Sequence, residues 1–427
     1  MKKIRSKTII LTIIVAVAVL IAAVVIAAVF PDREKRPVVI LSDTSGAVKS
    51  GKSMIIVGGK SLPDIPKGEI RTVSQSADGS AVLFAVGDGG SSPLYSVYNA
   101  KIRTLVSEIL STTAAALCYD GSAGFTLDEL GVLTWYDIKK NSGRVISESA
   151  SDCVISPAGE YLLYLSHGDE TVLELVRTDS GKETNLGSRY RPVAVSDDAG
   201  LIYVTDTQTG GYCLINKDGL EKARFTSELR KDSPVFFTSD LSETVFSDKD
   251  YTYVSSQGGK KKTVAPSGCS PLFTGGSVKL TCTEAEVCGV PSFEDYYIDS
   301  ETSDLYCRDG SGFEKVTEGY AGVLPVDGGA CVLTAQGAVV IRHGKKVTDT
   351  VNTGYEKPNV YISENGKRLY YGGPDGKYYL YSGGETMLAA EDAVRFIQLG
   401  DEAYMYITAD GQIYYASKIG KEFKVDS

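Results

Sequence analysis

In 427 residues there are one tryptophan, two histidines and four methionines. Two histidines make a three-histidine or two-histidine-plus-carboxylate metal centre remote. His167 ("LSHGDE") and His343 ("IRHGKK") both precede glycine at turns, where an exposed side chain is the default. No G-x-S-x-G stretch occurs, so the hydrolase nucleophile elbow is missing. None of the eight cysteines stands in C-x-x-C spacing, which removes zinc ribbons and thioredoxin-type redox sites. Beyond residue 31 no stretch sustains a helical apolar period, so a helix bundle or an alternating α/β fold is excluded. No catalytic, cofactor-binding or metal-ligating residue is assigned from the sequence, and no cofactor is expected.

What the chain does have begins at its N-terminus. "TIILTIIVAVAVLIAAVVIAAVF", Thr8 to Phe30, carries no charge. At about 1.5 Å per residue it is long enough to cross a hydrocarbon core of about 30 Å. It exceeds the apolar region of about 7–15 residues found in cleavable signal peptides. It also ends in Phe30-Pro31 rather than a small-x-small site. We expect an uncleaved transmembrane signal anchor over residues 8–30. The alternative is a long signal peptide cut near Ala27 or Ala28. Lys2, Lys3, Arg5 and Lys7 precede the span, against Arg33, Lys35 and Arg36 mixed with Asp32 and Glu34 after it. The positive-inside rule then puts residues 1–7 in the cytoplasm, with residues 31–37 as a short linker and residues 38–427 outside. Ala18/Ala22 and Ala23/Ala27 have small-xxx-small spacing, which permits close helix approach without establishing it.

From Val38 onward there are 37 basic and 52 acidic residues, a net charge of −15. So acidic a body repels phosphate backbones and anionic lipid surfaces, and no nucleic-acid partner is expected. Several cysteines sit in apolar strand-like runs ("LCYD", "YCLI", "ACVL"), where a thiol acts as a small hydrophobe. An exported chain also permits disulfides, and Cys282 and Cys288 are the nearest pair. Both readings stay open at the level of sequence.

The body repeats. "SADGSAVLFAV" from Ser76, "SPAGEYLLYLS" from Ser156, "SDDAGLIYVTD" from Ser196, "SDLSETVFSD" from Ser239 and "SENGKRLYYGG" from Ser363 share a serine, a polar turn and an alternating apolar strand. Their separations of 80, 40, 43 and 124 are close to multiples of about 40. "CYDGSAGFTL" at Cys118, "VDGGACVLTA" near Val326 and "LGDEAYMYIT" near Gly400 fill the gaps. A second strand rich in Tyr and Leu follows each marker, as in "VLTWYDIKK" and "QIYYASK". A short third strand follows that, as in "GRVIS" and "EFKV". Period-two alternation between Asp-Gly, Asn-Gly and Gly-Gly pairs gives an all-β unit of four strands. One such sheet cannot cover both of its faces, and packing sheets around an axis does so.

These stretches resemble the S-P-D-G-x-x-[LI]-x-[YF] repeat of TolB-like and WD40-like bacterial β-propellers, over roughly residues 68–427. The resemblance implies a single β-propeller, with eight blades expected and seven as the runner-up. Val38 to about Gly59 is expected to add outer strands that close the ring against the C-terminus. The stretch from about Cys269 to Tyr320 fits the repeat badly, with one further marker conceivable near Gly275. Trp135 alone cannot furnish sialidase Asp boxes, S-x-D-x-G-x-x-W, nor the tryptophan-rich blades of quinoprotein propellers.

Two local stretches attract a chemical reading. "GAVKSGKS", Gly46 to Ser53, fits the phosphate-loop pattern G-x-x-x-x-G-K-[ST]. Such a loop needs a helix after it, and here "MIIVGGKSLPDIP" follows, with Pro63 and Pro66. A basic turn between strands is expected, and no nucleotide. "FEDYYIDSETSD", Phe293 to Asp304, is the densest set of carboxylates. It is expected to be a solvated acidic loop and the best place for a functional insertion. The functional expectation is a membrane-anchored extracytoplasmic propeller that is not an enzyme and binds another envelope protein or a glycan. The alternative is a carboxylate- or Ca²⁺-dependent propeller hydrolase of lactonase or glycosidase type.

Overall fold

The computed structural model describes residues 38–41, 53–76, 79–87, 91–226, 235–238, 241–256, 261–273, 278–280, 285–287, 293–309, 312–326, 329–343, 346–363, 365–399 and 401–425. The expected anchor over 8–30 and linker over 31–37 lie outside the described residues. Among those described, no helix is long and apolar enough to cross a membrane. Pro37–Ser427 forms one compact unit.

Every described element is a strand, and they gather into ten antiparallel sheets. Blade 1 is β1 (Val38–Leu41), β2 (Met54–Val57) and β3 (Lys60–Ser61). Blade 2 is β4 (Ile70–Gln75), β5 (Ala81–Val86), β6 (Ser92–Tyr98) and β7 (Lys101–Ile109). Blade 3 is β8 (Thr112–Leu117), β9 (Ala123–Asp128), β10 (Leu133–Asp137) and β11 (Ser142–Ser147). Blade 4 is β12 (Ala150–Ile155), β13 (Tyr161–His167), β14 (Thr171–Arg177) and β15 (Lys182–Asn185). Blade 5 is β16 (Tyr190–Val195), β17 (Ile202–Asp206), β18 (Tyr212–Ile215) and β19 (Glu221–Thr226). Blade 6 is β20 (Val235–Phe237), β21 (Glu243–Ser247), β22 (Tyr251–Ser256) and β23 (Lys262–Pro266). Blade 7 starts with β24 (Ser270–Phe273). The hairpin β25 (Val278–Leu280) and β26 (Ala285–Val287) intervenes before β27 (Phe293–Asp299), β28 (Asp304–Asp309) and β29 (Gly312–Thr317). Blade 8 is β30 (Gly322–Val326), β31 (Gly329–Leu333), β32 (Ala338–His343) and β33 (Lys346–Asn352). Blade 9 is β34 (Val360–Ile362), β35 (Arg368–Gly372), β36 (Tyr378–Ser382) and β37 (Glu385–Ala390). Blade 10 is β38 (Ala393–Gln398), β39 (Tyr404–Thr408), β40 (Ile413–Ala416) and β41 (Glu422–Lys424).

The core is not one mass but ten apolar layers, each between two neighbouring sheets. Leu163, Leu175, Val195 and Ile202 fill the layer between blades 4 and 5. Tyr203, Tyr212, Phe237 and Phe246 fill the next. Blade 1 closes the circle. Val38, Ile55 and Val57 pack on Val82 and Phe84 of blade 2, while Leu41, Met54 and Ile56 pack on Met405, Ile407 and Ile413 of blade 10. The molecule is therefore a closed β-propeller with ten blades, not the eight or seven expected from the repeat. Two blades escaped the count for physical reasons. Blade 1 has three strands and no serine turn. Blade 7 has its first two strands separated by an inserted hairpin, so its turn does not follow the pattern. Val38–Gly59 likewise does not add outer strands to the last blade. It forms a blade of its own, and the ring shuts by face packing rather than by strand exchange.

First strands of neighbouring blades approach one another (β4 with β8, β8 with β12, β12 with β16, β24 with β30, β30 with β34), so they form the inner edge. Six of these ten inner strands carry a register shift against the second strand, at Thr72/Ser74, Thr112/Ala114, Ser151/Val154, Pro192/Ala194, Pro271/Phe273 and Ala393/Arg395. A bulge twists the strand and interrupts its free edge, which keeps inner edges from pairing with each other. The fourth strands meet solvent instead: β11 ("SGRVIS"), β15 ("KETN") and β41 ("EFK") are mostly exposed and mostly polar.

The repeated serine explains the blade's first turn. Ser76, Ser156, Ser196 and Ser363 are buried, and each Oγ accepts the backbone N–H five residues on, at 2.9–3.0 Å. Each serine carbonyl accepts from the residue three on, which holds positive φ: Gly79, Gly159, Ala199 and Gly366. Thr238 does the same work in blade 6, so the repeat there is set by Thr238. Ser239 lies outside the described residues, as does Gly400. In blade 3 the sulfur of Cys118 accepts from Ala123 N at 3.2 Å. Glycine is needed twice over at these turns. It tolerates positive φ, and a Cβ at Gly121 would stand 2.1 Å from Ala81 Cβ of the preceding blade. Removing one buried acceptor leaves an N–H unmatched at a cost of about 1–3 kcal/mol. Ser156→Ala should accordingly lower the unfolding free energy by about 1–2 kcal/mol in urea titrations, whereas Ser156→Thr, the side chain blade 6 already uses, should recover most of it. Equal stability of the alanine variant and wild type would refute this role.

Candidate functional site at the axial mouth

Because the inner strands all start on one face of the ring, their second residues stand at one level around the axial opening. Arg71 opposes Ala85, Ser151 opposes Leu165 and Arg191 opposes Thr205, each one or two residues from the end of its blade's second strand. Arg395, just past a bulge at Val394, opposes Ile407 in the same way. The ten inner strands carry three arginines, Asp152, and no lysine or glutamate among the described residues. That is a reversal of sign against a body of −15. Arg71, Arg191, Arg395 and Asp152 are all exposed. Val394, beside Arg395, is 67% exposed, among the most exposed of the large apolar side chains.

Of the other arginines of the described residues, all but Arg342 are engaged. Arg189 and Arg224 both donate to Asp206 Oδ2, at 2.6 and 2.8 Å. Arg177 pairs with Asp179 at 2.9 Å, and Arg144 donates to the Thr178 carbonyl at 3.1 Å. Arg71, Arg191 and Arg395 make no ion pair and no hydrogen bond among the described residues. The loops entering β4 and β38 carry Glu69 and Asp392, and among the described residues neither pairs with Arg71 or Arg395.

Two further sets of side chains on this face have the look of chemistry. The register shift in β12 brings Ser151 Oγ to 2.7 Å from His167 Nε2, while Thr171 Oγ1 lies 3.0 Å from Nδ1. A nucleophile–base pair is present, but a hydroxyl stands where a triad has a carboxylate to stabilise the imidazolium. His167 is exposed at its turn, as expected. Its pairing with Ser151 had no signal in the sequence, because the bulge that aligns them has none.

Asp206, Cys213 and Glu221 lie close enough together to suggest a metal centre. The position is already taken by a cation of the chain. The Arg224 guanidinium reaches Asp206 at 2.8 Å and Glu221 at 2.5 Å, and adds Thr209 Oγ1 at 2.8 Å. Asp206 is fully buried, and Arg189, then Arg224 and the Gln208 N–H, hold its carboxyl well below the ordinary carboxylate range. This network ties the β17–β18 turn to the loop before β16.

The cysteines resolve into thiols. Cys118, Cys153, Cys213, Cys269, Cys307 and Cys331 are free and buried, while Cys282 and Cys288 lie outside the described residues. Burial pushes Cys118 and Cys213 up to about 11, and Cys269 and Cys331 up to about 12. The acidic stretch at 293–304 is not a loop. It is strand β27, a turn and the start of β28 in blade 7, with Asp299 accepting from the Glu301 N–H and Asp304 bound to Lys315 at 3.0 Å. The inserted element is instead the hairpin β25–β26. It pairs with the inner edge of blade 6 through β20–β25, and β26 comes alongside β8 of blade 3. It thus runs as a chord across the space inside the ring. The sequence marked the region but not the element. Of "GAVKSGKS", residues 46–52 lie outside the described residues, and Ser53 leads into strand β2 where a phosphate loop requires a helix.

No protein-family description and no curated protein matches the chain. Among solved structures it is similar to TolB from Acinetobacter baumannii, at 13% identity and a TM-score of 0.33. That match covers 60% of this chain and 66%, just under two thirds, of TolB. It is similar to the C-terminal WD40 domain of Sif2 at 12% identity and a TM-score of 0.34, covering 84% of this chain and 98% of that one. An oligogalacturonate lyase in complex with manganese is similar at 14% identity and a TM-score of 0.33, covering 90% and 95%. TolB and a WD40 domain are among the structural neighbours, and the ten-bladed assignment rests on the sheets themselves.

Two experiments probe the buried groups. Asp206→Asn removes the charge that two arginines share and should cost about 1–3 kcal/mol at pH 7 by urea titration. Since folding depresses the Asp206 pKa, its contribution is present above about pH 4, the unfolded value, and fades as pH falls, so the two proteins should converge in acid. In a Cys282→Ser/Cys288→Ser background, Ellman's reagent at pH 8 should titrate none of the six thiols in the native protein and all six in guanidinium. Rapid native reaction would contradict their burial. A thiol with a raised folded pKa stabilises fully below about pH 8.5, and this is lost as pH climbs through the folded values.

Proposed function

We propose that the chain is a non-catalytic binding scaffold of the cell envelope, with its propeller held outside the membrane by the N-terminal helix and its axial mouth presented to a partner protein. The observation that carries the reading is the state of the mouth. Its arginines and Val394 are exposed, and the arginines make no ion pair or hydrogen bond among the described residues, whereas several carboxylates that could do chemistry are spent on structure. Asp206 serves Arg189 and Arg224, Asp304 serves Lys315, and Asp128 accepts the N–H groups of Leu130 and Val132. Unspent charge beside exposed apolar surface favours association. The carboxylate-dependent hydrolase reading needs free carboxylates facing one another, and among the described residues Asp152 is the one carboxylate on the inner strands.

The test uses a photo-cross-linking amino acid at Val394 and, separately, at Lys182 on the outer strand β15, in the full chain on intact cells. A discrete adduct at 394, absent at 182, together with cleavage of the propeller by protease added outside, is the expected result. Protection from that protease, or equal labelling at both positions, would overturn the reading.

A further inference from the structure

The partner's chemistry, an inference that rests on the scaffold reading, is constrained by the mouth itself. Arg71, Arg191 and Arg395 lie on blades 2, 5 and 10, at matching register positions of the inner strands. A guanidinium without a partner is matched best by a carboxylate or phosphate, which it takes in bidentate fashion. Around the ring the three blades follow one another as 10, 2 and 5, two and then three steps apart, and with packed sheets about 10 Å apart successive arginines lie on the order of 20–30 Å from each other along it. No single small anion spans that distance. An extended chain does, at about 3.3 Å per residue, with about six to nine residues between contacts.

The apolar component selects among extended anions. Val394 is 67% exposed directly beside Arg395, and the inner strands otherwise expose mainly small and hydroxyl-bearing side chains such as Thr72 and Thr113. A phosphate polymer has nothing to set against Val394, whereas a peptide alternating acidic and apolar residues satisfies both. The inner strands that carry Arg71, Arg191 and Arg395 are each interrupted by a bulge and offer no continuous ladder to a bound backbone, so at these three places side-chain charge has to carry recognition. Asp152, the one acid on these strands, sits on blade 4 between the Arg71 and Arg191 blades. It penalises an anion that tracks the wall without gaps and tolerates one whose carboxylates are spaced.

We propose that the axial mouth binds an extended acidic–apolar peptide segment of the partner, with Arg71, Arg191 and Arg395 taking its carboxylates and Val394 its apolar groups. The probe is a fluorescein-labelled (Glu-Val)₁₀ peptide titrated with the full chain in detergent at two salt concentrations. Arg71→Gln/Arg191→Gln/Arg395→Gln should weaken binding at least tenfold and flatten its salt dependence. Arg177→Gln, on the surface of β14, should leave binding unchanged. Circular dichroism and urea midpoints equal to wild type show that the triple variant is folded. Undiminished binding by the triple variant, or tighter binding of a polyphosphate of matched charge than of the peptide, would overturn the proposal. Absence of peptide binding while the Val394 cross-link on cells persists would remove the acidic peptide and leave the scaffold standing, whereas loss of both would remove both.

Discussion

Everything in this molecule depends on the burial of one sheet face against the next. A four-stranded antiparallel sheet with apolar side chains on both faces has no stable isolated state, since each fully buried leucine, valine or phenylalanine contributes about 1.5–3 kcal/mol only once it is covered. Each sheet here covers two neighbours and is covered by two. The same requirement explains why closure needs no shared strand. Blade 1 has only three strands, yet Ile55 and Ile56 point to opposite faces of β2, one into the blade 2 layer and the other into the blade 10 layer. Two consecutive isoleucines on opposite faces of the pleat thereby join the beginning of the propeller to its end.

The composition follows from those layers. Tyrosine is common and tryptophan nearly absent because the layers need flat, wide side chains whose polar end reaches the sheet margin. Tyr404 and Tyr406 lie in the layer between blades 9 and 10, stack among Phe396 and Tyr414, and donate their hydroxyls to the two oxygens of Glu422 at 2.8 and 3.0 Å. Tyr203 reaches across from blade 5 to the Leu241 carbonyl of blade 6 at 2.8 Å. An apolar body with a polar tip lets one residue fill the layer and bond the adjacent blade, and the charge left for the outer strands keeps their edges from pairing with other chains.

What could be read from residues alone was the unit, not the number of units. The serine turn has a strict local chemistry: a buried acceptor, a residue of positive φ three on, and a close neighbour from the preceding blade. Such chemistry leaves letters behind, and Ser76, Ser156, Ser196 and Ser363 show them. Where another atom does the same work, the letters change while the turn does not, as with the Cys118 sulfur and the Thr238 hydroxyl. Where the turn is replaced or its strands are parted, as in blades 1 and 7, no letters remain and the blade goes uncounted. The acidic run at 293–304 misled for a related reason. Charge density suggests a loop, but the alternation in "YYID" places Tyr296 and Tyr297 in the layers on either side of blade 7. The axial mouth was illegible because it is a property of register. Arg71, Arg191 and Arg395 are far apart in sequence and share a level only after a ring has formed and bulges have set each strand's phase.

That dependence on register bears on how function is built in a ring of ten. Adding blades widens the space inside, and a wider opening leaves inner edges further from one another and more exposed to solvent. Two devices answer this exposure. The hairpin β25–β26 extends blade 6 inward until it lies beside β8, which divides the opening and covers part of two inner edges. Bulges break six of the ten inner strands, which keeps those edges from serving as templates for stray strands. Where backbone pairing is suppressed in this way, the proposed recognition at the mouth would fall to side chains. Charge and shape would then decide it, with Arg71, Arg191 and Arg395 at the level where an entering chain would meet the ring.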